Sequence, residues 1–115
     1  MGVTDWFRHE EWGADTAAGF EAKLAKARPA SRAQYLRIQG GTLCQGDDEG
    51  CIDAGRRLLL RVLEQYPHDL LEAAGAHAGL GMSYRRAGNY RNAAEHYRAC
   101  LEIEKGKSFD HGADL

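Results

Sequence analysis

Apolar residues recur at helical spacing in five stretches of this chain. Ala17, Phe20, Leu24 and Ala27 mark the first. Ala33, Leu36, Gly40 and Leu43 mark the second, and Ile52, Gly55, Leu59, Val62, Leu63 and Tyr66 the third. Leu80, Gly81 and Tyr84 share a face with Ala76 and His77, and Tyr90, Ala93, Ala94, Tyr97 and Leu101 form the last stripe. Each set is one face of an amphipathic helix. The breaks fall where chemistry expects them. Asp15-Thr16 opens the first helix, and Arg28-Pro29 closes it, because the residue before proline disfavours helical geometry. Ser31 is a candidate cap for a helix over about 32–45. The run from Gly46 to Gly50 supplies a break and a cap for a helix over about 51–66, with Arg56, Arg57, Arg61 and Glu64 on its outer face. Pro67 stops that helix, and His68-Asp69 introduces the next.

The last two stripes, joined through Gly88-Asn89, describe an antiparallel helical hairpin. Gly75, Gly79 and Gly81 each cost up to about 1 kcal/mol of helix propensity relative to alanine. Close packing is the expected compensation, with Gly81 opposite Ala93 and the larger Tyr84 and Tyr97 filling the ends.

Over 74–107 the sequence resembles a tetratricopeptide repeat (TPR). Leu80, Gly81, Tyr84, Gly88, Tyr90, Ala93, Tyr97 and Leu101 stand at the places of that signature. His77 stands where the family often has Trp, Cys100 where it has Ala, and Lys105 in place of the closing Pro. The preceding hairpin, 31–67, resembles a more degenerate repeat. Leu36, Gly40, Leu43, Gly55, Leu59, Val62 and Pro67 match, the loop carries about three extra residues, and Gln39 replaces a Leu. The resemblance implies an all-α fold of about five helices, in which antiparallel hairpins stack as a short right-handed solenoid. Residues 1–30 would form an aromatic arm and a capping helix. The arm and the run from Arg32 to Gln39 are also similar to bacterial TPR proteins.

Composition changes this picture little. The chain has 115 residues, enough for one small domain, and 43% are hydrophobic. A formal charge of −2 gives no basic field for nucleic acid or an anionic membrane. The longest purely apolar run is Leu58-Leu59-Leu60, far short of a membrane span, so a cytoplasmic protein is expected. Trp6, Phe7 and Trp12 make the N-terminal arm too aromatic for a free tail, and Asp5 could cap a turn there. Residues 108–115 are expected to fray. Stacked repeats ordinarily carry a terminal element over the last apolar face, and none is legible after this hairpin. The chain is therefore expected to continue in a longer protein, to be covered by another subunit, or to expose only a modest face lined by Arg91, Arg98 and Glu102.

Catalytic chemistry finds no foothold. Cys44, Cys51 and Cys100 match neither a zinc motif nor C-x-x-C, and are expected as small buried thiols, Cys51 with a modestly lowered pKa near a helix start. His68, His77 and His96 lack metal-ligand spacing, although His77 is placed to approach the second helix of its hairpin. Asp47-Asp48-Glu49 lacks a calcium-loop pattern. Ser31, Ser83 and Ser108 have no oriented base, Ser83 facing either the groove or a neighbour. Gly40-Gly41 and Gly79-x-Gly81 follow no strand, so they are not phosphate loops. Arg85, Arg86, Arg91 and Arg98 are offset by Glu95, Glu102 and Glu104. No enzyme, metal, cofactor, nucleic acid or membrane is expected.

The resemblance implies instead a protein-binding groove lined by the first helix of each hairpin. Gln34, Arg37 and Gly41 would line it from the first, and Ala78, Met82, Arg85 and Arg86 from the second. Met82 offers an adaptable apolar contact, and Arg37 and Arg85 could pair with carboxylates of an acidic segment. Gly41 and Gly79 stand where the chaperone-tail subfamily has its clamp asparagines, which argues against that specialised function. The second expectation is a homodimer through Tyr97, Leu101 and Ile103 of the last helix.

Overall fold

A computed structural model describes residues 6–113, with side chains described as far as residue 106. The expected cap Asp5 lies outside the described residues. Five helices follow one another: α1 (Ala14–Lys26), α2 (Arg32–Cys44), α3 (Glu49–Gln65), α4 (Leu70–Arg86) and α5 (Tyr90–Ala113), with a single 3₁₀ turn over Pro29–Ser31. The described residues contain no strand. The protein is all-α.

Helix ends explain most of the boundaries. Asp48 accepts a hydrogen bond from the Cys51 N–H at 2.9 Å, starting α3 at Glu49, two residues before the sequence pattern placed it. Asp69 does the same for α4 through the Glu72 N–H at 3.3 Å, and Asn89 for α5 through the Asn92 N–H at 3.3 Å. Ser31 does not cap α2. The 3₁₀ turn instead leads the chain directly into that helix, and Arg32 turns back to donate to the carbonyls of Ala25 and Ala27, occupying the bare end of α1. Gly88 has φ +81°, the left-handed conformation that closes a helix and which a side chain would strain.

Helices α2 and α3 pair as one hairpin, α4 and α5 as the next, and α4 seats on both members of the first. Leu36, Leu43, Leu59, Val62 and Leu80 are fully buried at this junction. The expected stripes of α2 and α3 hold, but Arg56 and Arg61 do not simply face solvent. Arg56 donates to Ser83 Oγ at 2.9 Å, and Arg61 forks onto the Glu21 carboxylate of α1 at 2.6 and 2.9 Å.

Two expectations for the second hairpin need correction. Gly81 lies opposite Tyr97, not Ala93: a Cβ there would come within 2.7 Å of Tyr97 Cε1, so the missing side chain makes a notch for the ring. The α5 stripe is also only partly buried. Ala93 is enclosed, Ala94 and Tyr97 are half-buried, and Tyr90 and Leu101 are 69% and 60% exposed. The reason is that α5 packs principally on α4, with no further described helix on its other side.

The arm lies under α1. Trp6 packs against Phe7, Phe20 and Tyr35 with ring centroids 4.8–5.5 Å apart, and Trp12 meets Phe20 at 5.6 Å. Gln39, fully buried in α2, accepts from the His9 N–H at 2.9 Å and donates its own N–H to the His9 carbonyl at 2.8 Å. A buried amide thus has its main polar atoms satisfied by one residue of main chain.

Candidate partner-binding groove

Where α4 lies beside α2, small side chains leave a shallow depression of about 410 Å³. Gln34 and Arg37 of α2 form one wall, Ala74, Gly75 and Ala78 of α4 the floor, and Cys100 and Glu104 of α5 the far side, with Leu71 and Glu72 at one end. Arg37 Nε donates to Glu72 Oε1. Glu72 is almost fully buried, whereas Arg37 is one-third exposed. The arginine stem crosses α4 at Gly75, the position where any Cβ would overlap its Cδ. A side chain at Gly75 would therefore displace the arginine stem that the ion pair holds across α4.

Of the expected groove residues, Gln34, Arg37 and Ala78 share this depression. Met82, 48% exposed, and Arg85, also exposed, continue the α4 face of Ala74 and Ala78 at steps of four and three residues. Gly41 is half-buried further along α2. Arg86 is not with them. It donates to the Cys44 carbonyl at 2.7 Å and the Gly46 carbonyl at 3.3 Å and reaches Asp47 at 3.4 Å, tying α4 to the α2–α3 loop. There it lines a separate depression with Arg56 and Ser83. Leu71, Glu72, Ala74, Gly75, Cys100 and Glu104 line the first depression without having been expected there. Leu71 carried a usable signal, standing three and seven positions before Ala74 and Ala78 on one helix face, and it is 64% exposed. Glu72 carried none, since an acid in the first turn of a helix ordinarily faces water near the helix dipole.

The expected self-association trio does not form one surface. Tyr97 rests in the Gly81 notch and Leu101 faces solvent. Ile103 follows Leu101 by two positions, about 200° around the helix. The residue that shares the exposed face of Leu101 is Tyr90, eleven positions earlier.

The thiols also differ from expectation in one respect. Cys44 and Cys51 are buried and all three cysteines are unpaired. Burial raises the Cys51 pKa, as it does that of Cys44, and the Asp48 carboxylate at the helix start adds to the rise. Proximity to a helix N-terminus is outweighed, because the capping carboxylate already occupies it. Asp48 itself is held below the usual carboxylate range by the Cys51 N–H. Across the second hairpin His77 Nδ1 and His96 Nδ1 are 3.0 Å apart. No cluster of three or more potential metal ligands occurs among the described residues. No helix among them is long and apolar enough to cross a membrane.

Comparison with curated proteins and with solved structures gave no match. The family model of the tetratricopeptide repeat does match, over residues 74–107. That span holds α4 from Ala74 onward, the Gly88 turn and α5 as far as Lys107, including the Gly81–Tyr97 contact and the histidine pair. Repeats of this kind are, as a class, protein–protein interaction modules. The α4–α5 hairpin over residues 74–107 is therefore similar to a tetratricopeptide repeat.

Proposed function

We propose that the protein is a non-enzymatic interaction module, a scaffold or adaptor that takes a peptide or helical segment of a partner along the α2–α4 groove. The observation that carries this reading is the α4 face: a floor of buried Ala74 and half-buried Ala78 leads to Met82 and Arg85, which are exposed. Arg85 supplies an exposed guanidinium for an acidic residue of the ligand, and Met82 an adaptable apolar contact. Arg37 is already engaged by Glu72, so its share is positional. Unpaired thiols fit a reducing, cytoplasmic setting.

Panning a random peptide library on the immobilised chain tests this. Wild type should enrich sequences that a Met82→Glu/Arg85→Glu variant, with unchanged helical circular dichroism, no longer binds. Equal enrichment by both would place binding elsewhere.

A second reading rests on Tyr90 and Leu101, two large apolar side chains exposed on one face of α5. Paired α5 helices from two copies would cover them. Sedimentation over a range of concentrations distinguishes this, because Leu101→Glu should abolish any dimer while leaving groove binding intact.

A further inference from the structure

His77 lies midway along α4 and His96 in the second turn of α5, and both imidazoles are half-buried. Their Nδ1 atoms are 3.0 Å apart, with ring centroids 5.3 Å apart and planes inclined by 37°. Tyr84, two turns beyond His77 on α4, stacks on His96 with an interplanar angle of 6°. The Arg56 guanidinium of α3 sits 4.4 Å from the centre of that same tyrosine ring and is fixed by its bonds to Ser83. Three helices thus meet at one aromatic stack that already holds a permanent cation.

An Nδ1 to Nδ1 contact of this length needs one proton between the two nitrogens: one ring donates and the other accepts. A second proton would point two N–H groups at each other. We propose that His77 and His96 form an acid-labile latch on the α4–α5 hairpin, closed while one of the facing nitrogens lacks a proton and opened when both carry one. Cys100, one turn beyond His96, and Glu104 form the groove wall opposite Ala74 and Ala78, on either side of His77. Opening the seam therefore moves that wall. This regulatory consequence rests on the groove reading, whereas the latch does not.

The surrounding groups set the sign. From α5, the field of Glu95 favours a protonated His96. From α4, Tyr84 supplies a ring and no charge, and from α3, Arg56 supplies a positive charge near that ring. Burial holds both imidazoles below the usual histidine range, and for His77 the neighbouring His96 lowers it further. The unfolded chain then binds protons more readily than the closed hairpin. The latch's contribution is complete above the ordinary histidine pKa and is lost as pH falls through the lowered values.

Imidazole ¹⁵N shifts and amide-exchange protection, followed in the full chain from about pH 8 to about pH 5, test this without any partner. In wild type, the second of the two rings should protonate only together with a loss of protection of about tenfold or more in α4 and α5. A His77→Gln/His96→Gln variant should keep its protection over the same range. If both rings of the wild type titrate independently at the ordinary histidine value while protection is unchanged, the latch is refuted. Should the double variant fail to fold, the wild-type titration decides alone. Loss of peptide binding in the library experiment would overturn the groove and leave these readouts unaffected.

Discussion

Gly40 and Gly55 face each other main chain to main chain where α2 crosses α3. A Cβ on Gly55 would stand 2.6 Å from the Gly40 carbonyl oxygen, and one on Gly40 would stand 2.8 Å from that of Gly55. The Gly81–Tyr97 contact of the next hairpin is built differently. Its close neighbour is the ring of a half-buried side chain.

That difference predicts unequal costs for the same substitution. Gly55→Ala forces two helices apart and should destabilise the fold by about 1–3 kcal/mol, as overpacking does. At Gly81 the tyrosine can tip outward, and the gain of about 1 kcal/mol in helix propensity offsets much of the strain. Urea denaturation of the two variants should rank Gly55→Ala well below Gly81→Ala.

The Arg37–Glu72 pair yields a second test. Arg37→Met leaves a buried carboxylate without its cation. Complete burial of such an orphan costs about 3–5 kcal/mol, and the one-third exposure of the arginine brings the expected loss to about 1–3 kcal/mol. Adding Glu72→Leu should restore most of that stability, since apolar replacements of buried pairs are commonly neutral or better. A double-mutant cycle by thermal unfolding reads the coupling.

Gln39 offers a third. Gln39→Leu supplies the apolar residue that the resemblance of 31–67 to a repeat would imply here, yet it removes both bonds to His9 and leaves the His9 N–H and carbonyl unsatisfied. A loss of about 1–3 kcal/mol is expected. Tryptophan emission should shift to the red as Trp6 and Trp12 come away from Phe20.

A fourth concerns Arg86. Its substitution by Ala should loosen the α2–α3 loop, seen as faster amide exchange around Gly46, while leaving ligand binding in the groove within twofold of wild type, about 0.4 kcal/mol. Arg85→Glu should do the reverse.

The α4–α5 hairpin was legible in the sequence because its signature residues are the packing residues. The burial of Leu80, Gly81 and Ala93 follows from a 3.6-residue period alone. What escaped were features that depend on a partner distant in sequence. Gln39 counts as polar in any pattern, and only the arm thirty residues earlier makes its burial intelligible. Glu72 has the same character through Arg37. Tyr90 and Leu101 failed in the opposite sense: periodicity gave them a face correctly but could not say that nothing described lies against it. In the candidate groove, Gln34, Arg37 and Ala78, which the resemblance implied, line one depression, while Cys100 and Glu104 come from a helix that the resemblance did not assign to it.

The hold of Gln39 on His9 is blind to what residue nine is. Both bonds go to main-chain atoms, so they survive a change of side chain, which would cost only the ring contact of His9 with Trp12 at 6.3 Å. Proline is the exception, because it has no N–H to donate. Sequence variation at this position should therefore be broad in chemistry and closed to one amino acid. A saturation library at residue nine would show one sharp gap, at proline, among shallow differences.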